Sequence, residues 1–203
     1  MDLEIVSIQT ELKNATAEQV KEKTKQKAEM FSEAQKDKTE EDPNKGESEK
    51  NEVEHKKQSM EKYFSVTQKT IQQLSKIDYQ HYITQIQKTI GNCFLYDLIY
   101  KSLNANLNDK IVEIKYVREL REDNHFINKL LDGLEIQISV YRRNIRKQAD
   151  LVLVIVYDTS TVDIEQIRNK IRLYTFDNTA LHGMQVEFIK EQKINEFNAN
   201  YIL

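Results

Sequence analysis

The sequence predicts a mixed α/β (α+β) domain preceded by a helical arm, and three observations carry that expectation. The apolar residues are concentrated late in the chain. Their spacing changes at Phe94 from the threes and fours of a helix to the twos of a strand. The run from Asp150 to Asp158 (DLVLVIVYD) is apolar with almost no alternation, as in a central strand covered on both faces.

Taken in order, residues 1–31 carry Leu3, Ile5, Ile8, Leu12 and Val20 among Glu, Lys and Gln, which fits one weakly amphipathic helix. Residues 32–58 are almost wholly polar around Pro43 and Gly46. They hold too few apolar groups to offset the entropy of ordering, and predict a charged, disordered linker or the frayed middle of a long polar helix. From Ser59 to Ile90, Met60, Tyr63, Phe64, Ile71, Leu74, Ile77, Tyr82, Ile83, Ile86 and Ile90 recur at helical spacing. This stretch is expected to be helix, broken near Asp78 and stopped by Gly91 and Asn92. Residues 59–203 thus form the expected folded unit.

Phe94–Tyr100 (FLYDLIY) and Ile111–Val117 (IVEIKYV) flank a turn-rich segment and predict an antiparallel hairpin. Helical spacing returns from Asn124 to Gln148, followed by the apolar strand at 150–158. Ser160 and Asp163 offer a cap for a helix ending near Tyr174, and Met184–Ile189 reads as a last strand. The expected order is helix, strand, strand, helix, strand, helix, strand: a mixed sheet with helices packed on it.

Composition narrows the function. Among 203 residues, 30 Lys and Arg face 33 Asp and Glu, a net charge of −3, so the whole chain is not a basic nucleic-acid coat. Cys93 is the single cysteine and has no zinc-type Cys/His cluster around it. The four histidines show no ligand spacing. Without a long apolar run or a secretory pattern at the N-terminus, the protein is expected to be soluble and intracellular, with no membrane partner.

One constellation carries chemistry. Residues two apart on a strand share a face, so Glu113 and Lys115 should emerge side by side. Asp97 sits mid-strand between Tyr96 and Leu98, where a charge needs a reason. Pairing the hairpin strands can bring it against Glu113. Two carboxylates on adjacent strands make a hard oxygen site suited to Mg²⁺ or Mn²⁺, with Lys115 near the scissile phosphate. The competing reading makes Asp97 a buried acid paired with Lys115 or with a backbone amide. Arg142, Arg143, Arg146 and Lys147 form a basic helix end that suits phosphates, or equally the negative end of the helix dipole.

Asp97, fifteen intervening residues and then Glu113-Ile114-Lys115 resemble the core signature of the PD-(D/E)xK nuclease superfamily. Gln137 and Tyr141, four apart on the next helix, resemble the QxxxY element of its RecB-like branch. The resemblance spans roughly residues 93–189. It implies a restriction-endonuclease-like core and a metal-dependent nuclease acting on nucleic acid, on DNA before RNA. Asp97 and Glu113 would be metal ligands for Mg²⁺ or Mn²⁺, Lys115 the catalytic lysine, and Gln137 and Tyr141 residues that support the site or touch the substrate. Residues 1–90 would then serve a protein partner or self-association. Tyr96 stands where the family name has proline. No glutamate occurs between Glu61 and Glu113, so Gln85 or Gln87 would replace the acid that many members carry on the helix before the first strand. The rival class is a noncatalytic scaffold with a helical interaction arm and an α/β docking domain.

Overall fold

A computed structural model of the chain describes residues 48–76, 81–90, 94–121 and 124–197. The helix expected over 1–31, most of the expected linker, the break expected near Asp78, Cys93 and the Gly91-Asn92 stop lie outside the described residues. Helix α1 runs from Ser48 to Leu74 and so begins inside the stretch read as linker. Its Glu, Lys and Gln residues are good helix formers. Tyr63, Val66, Ile71 and Leu74, at spacings of three to five, give it one buried face.

Five strands follow: β1 (Tyr82–Ile90), β2 (Phe94–Ser102), β3 (Asp109–Leu120), β4 (Ala149–Ser160) and β5 (Gln185–Lys190). Helix α2 (Asn124–Ile145) connects β3 to β4, helix α3 (Ile164–Phe176) connects β4 to β5, and a 3₁₀ turn covers Glu191–Glu196. The sheet order is β1-β2-β3-β4-β5. β1, β2 and β3 pair antiparallel, whereas β3, β4 and β5 pair parallel. The mixed α/β class is therefore as expected, and so are the hairpin and the last strand. Asp163 caps α3 by accepting from the Glu165 amide at 3.0 Å.

The expected helix over Ser59–Ile90 is corrected: it ends at Leu74, and Tyr82–Ile90 is a strand paired with β2 along its length. The reason lies at Gln87, whose φ of 48° interrupts the regular pleat. Ile86 lies opposite Leu98, which packs toward α1, while Lys88 lies opposite Tyr96, which packs toward α2. Alternation changes phase between them, so the segment shows no regular period of two, and the four-residue spacing of Ile86 and Ile90 is left to read as a helical face. Gln85 and Gln87 therefore belong to the edge strand and not to a preceding helix.

The sheet is covered on both sides. Leu98, Tyr100, Val112, Ile114, Val152, Val154 and Val156 pack against α1 residues Tyr63, Val66, Ile71 and Leu74 and against Ile194. On the other face Ile99, Ile111, Leu151, Leu153 and Ile155 pack against α2 residues Leu131, Leu134 and Ile138 and α3 residues Ile167 and Ile171. β4 contributes alternate residues to both layers, which is why its sequence shows no polar period.

Four tyrosines tie the layers through their hydroxyls. Tyr63 donates to the Ile114 carbonyl at 3.3 Å, Tyr96 to Gln137 at 2.8 Å, Tyr100 to Leu74 at 2.8 Å, and Tyr141 to the Asp109 carboxylate at 2.7 Å. Burial first, and neighbouring carboxylates second, push the Tyr63 and Tyr141 hydroxyls well above the ordinary tyrosine value. Because the folded-state values are raised, their stabilisation is complete below the unfolded value of about 10 and is lost as pH climbs through the folded values. Melting temperature is expected to fall steeply from pH 9 to pH 11 in wild type and less in Tyr141→Phe. Equal slopes in the two proteins would contradict this assignment.

Candidate functional site

The site forms where two paired strands part. β2 and β3 are paired only from Leu98↔Val112 to Tyr100↔Lys110. On the Asp97 side of that ladder β2 stays with β1, and beyond Val112 β3 stays with β4, which opens a fork at the level of Asp97 and Glu113. Beside the fork, Ile114 is served by side chains: Asp97 Oδ2 accepts its amide at 2.9 Å, and Tyr63 Oη donates to its carbonyl at 3.3 Å. The backbone-amide reading of Asp97 is thus realised, and it fixes the carboxylate beside β3.

Asp97 also marks a change of phase. Tyr96 and Ile99, three apart, pack toward α2, whereas Leu98 and Tyr100 pack toward α1. The change occurs at the same level as the one at Gln87 on β1.

Glu113 and Lys115 share the α2 side of β3, because Ile111 and Val117 in the same phase pack there. Glu113 is fully buried and Lys115 is 7% exposed. The Lys115 ammonium stands 3.5 Å from Glu113 Oε2, and Gln137 Nε2 donates to Glu113 Oε1 at 2.7 Å. Glu113, Lys115 and Gln137 therefore meet on the α2 side of β3, with Gln137 reaching Glu113 from α2, and Asp97 is tied beside them through the Ile114 amide.

Tyr141, one turn beyond Gln137, serves a second carboxylate instead. Asp109 is fully buried and accepts from Tyr141 Oη at 2.7 Å, from Lys147 Nζ at 2.8 Å and from the Ser102 amide at 2.8 Å. Arg142 donates to the Ala149 carbonyl at 2.8 Å, while Arg143 is exposed on the same basic helix end. Asp109→Ala removes an acceptor shared by three donors and is expected to cost about 3 kcal/mol, discounted for the part-exposed Lys147. Urea unfolding measures it, and a cost under about 0.5 kcal/mol would contradict the cluster's structural role.

Two residues in these networks were not legible as such. Tyr63 counts as one more apolar position on a helix face, and only its hydroxyl hints at a buried partner. Asp109 reads as a turn residue.

The donor set fits a hard divalent cation in kind. Mg²⁺ commonly takes one or two carboxylates and completes its shell with water and phosphate. Asp97 and Glu113 offer two, although no group of three or more His, Cys, Asp or Glu converges among the described residues. No helix among the described residues is long and apolar enough to cross a membrane. No family model matches the sequence, and neither the curated proteins nor the solved structures contain a match.

Proposed function

We propose that this chain is a metal-dependent phosphodiesterase of the PD-(D/E)xK kind, acting on nucleic acid and on DNA before RNA. The observation that supports it is the meeting of Glu113 with both Lys115 and Gln137, beside Asp97 at the strand fork. Mg²⁺ or Mn²⁺ held by Asp97 and Glu113 would supply polarisation of the scissile phosphate and a lowered pKa for bound water.

The chain's own residues do the rest. Gln137 fixes the rotamer of Glu113 through Oε1, leaving Oε2 on the Lys115 side. Asp97 is oriented by the Ile114 amide and so has little freedom to swing away. Lys115 presents a positive charge to the region where charge develops on the phosphate, and it can orient the attacking water. The exposed Arg143 and its neighbours at the end of α2 suit contacts to flanking phosphates.

The test is cleavage of plasmid and of short DNA and RNA oligonucleotides with Mn²⁺ or Mg²⁺. Wild type is expected to cut at least one of them, and Lys115→Ala to lose on the order of a hundredfold or more in rate. Wild-type inertness toward all substrates would leave the scaffold reading. One observation favours that rival: Glu113 is fully buried and its carboxylate lies against Lys115 and Gln137, as a structural ion pair would be.

A further inference from the structure

Gln87 has three features that a strand residue seldom combines. Its φ of 48° lies in the left-handed region, which a side chain other than Gly, Asn or Asp adopts at a cost. Its amide nitrogen is buried and makes no hydrogen bond. Its place in the register, between Ile86↔Leu98 and Lys88↔Tyr96, sets it opposite Asp97. Two residues further along β1 the Thr89 hydroxyl is likewise buried without a partner, opposite Leu95 in the stretch of β2 that has left β3.

Each feature is unfavourable for folding alone. A buried amide or hydroxyl lacking a hydrogen bond costs stability, and so does a non-glycine residue in this conformation. Glycine would remove both costs at position 87. Strain and an unpaired donor that coincide at Gln87, across from a carboxylate of the candidate site and two residues from a second unpaired donor at Thr89, are what a ligand-binding position looks like before its ligand arrives. The free group is an N–H donor, and donors suit phosphate oxygens.

We infer that Gln87, supported by Thr89, is a substrate-binding residue of the fork that donates its amide N–H to a non-bridging oxygen of the phosphodiester. This rests on the phosphodiesterase reading and deepens it: the phosphate would be gripped from the β1 side, opposite the side occupied by Lys115 and Gln137. Gln87 moves no proton and breaks no bond; its part is to position.

The experiment compares wild type, Gln87→Gly and Gln87→Asn by melting and by fluorescence anisotropy with a labelled DNA duplex in Ca²⁺ buffer. Gln87→Gly is expected to melt about 2 to 4 °C higher, the shift that roughly 1 kcal/mol brings in a chain of this size. It should bind the duplex about tenfold more weakly, as for one lost hydrogen bond to a charged group. Gln87→Asn tolerates the backbone but has a shorter reach, and should also lose affinity. Wild-type affinity in both variants overturns the inference while leaving the phosphodiesterase reading intact. Weaker binding with a lowered melting temperature also overturns it, since Gln87 would then serve the fold. A wild type that neither binds nor cleaves overturns the phosphodiesterase reading and this assignment together.

Discussion

Val154→Asp is expected to unfold the protein or to cost about 4 kcal/mol or more. Val154 is fully buried on β4, opposite Ile114 of β3 and Glu187 of β5, and it packs into the layer beneath α1. A carboxylate there finds apolar neighbours on the helix side and another acid across the ladder. At a fully buried position it cannot reach water, so the destabilisation should exceed that of Val154→Ala, which only leaves a cavity. Thermal melting followed by circular dichroism decides it. A melting temperature within a few degrees of wild type would mean that β4 is not the centre of the sheet, and the architecture would fail.

Glu113→Ala carries the second large effect, on two readouts at once. The carboxylate is buried between the Gln137 amide at 2.7 Å and the Lys115 ammonium at 3.5 Å. Its removal takes an acceptor from one and an opposite charge from the other, which is expected to cost about 3 kcal/mol of stability. If the site cleaves phosphodiesters, the same change removes a metal ligand, and the rate should fall by at least about a thousandfold, toward the background reaction. Gln137→Ala leaves the carboxylate in place and should lose far less activity, because it disturbs only the orientation of Glu113. Equal activity losses in the two variants would contradict this division of roles.

The two-faced strand was legible because burial on both sides erases the polar period, leaving Leu151–Val156 continuously apolar. The hairpin was legible from the period-two run Ile111–Val117 and the turn before it. β1 was not, because a residue at positive φ shifts its phase at Gln87 and breaks the alternation by which a strand is read, while Ile86 and Ile90, four apart, also fit a helical face. At the site, the strand period alone put Glu113 beside Lys115, and helix geometry gave Gln137 and Tyr141 a common face. What each touches depends on how α2 lies across the sheet, and that angle sends Gln137 to Glu113 and Tyr141 to Asp109. The Tyr63–Ile114 and Tyr141–Asp109 contacts were hidden because each joins elements far apart in sequence.

The most direct test of the metal site needs no knowledge of the substrate. An ion that binds only the folded state raises stability by about 2.7 kcal/mol at a hundred times its dissociation constant, or roughly 5 to 10 °C in melting temperature for a chain of this length. Melting of wild type, Glu113→Ala and Lys115→Ala is therefore measured with chelator and with millimolar Mn²⁺. Wild type and Lys115→Ala are expected to shift upward with Mn²⁺ while Glu113→Ala stays where it is, since the lysine acts on the reaction and the carboxylate holds the ion. A wild type that melts at the same temperature with and without Mn²⁺, or a Glu113→Ala variant that shifts as far as wild type, would contradict a metal centre at this fork.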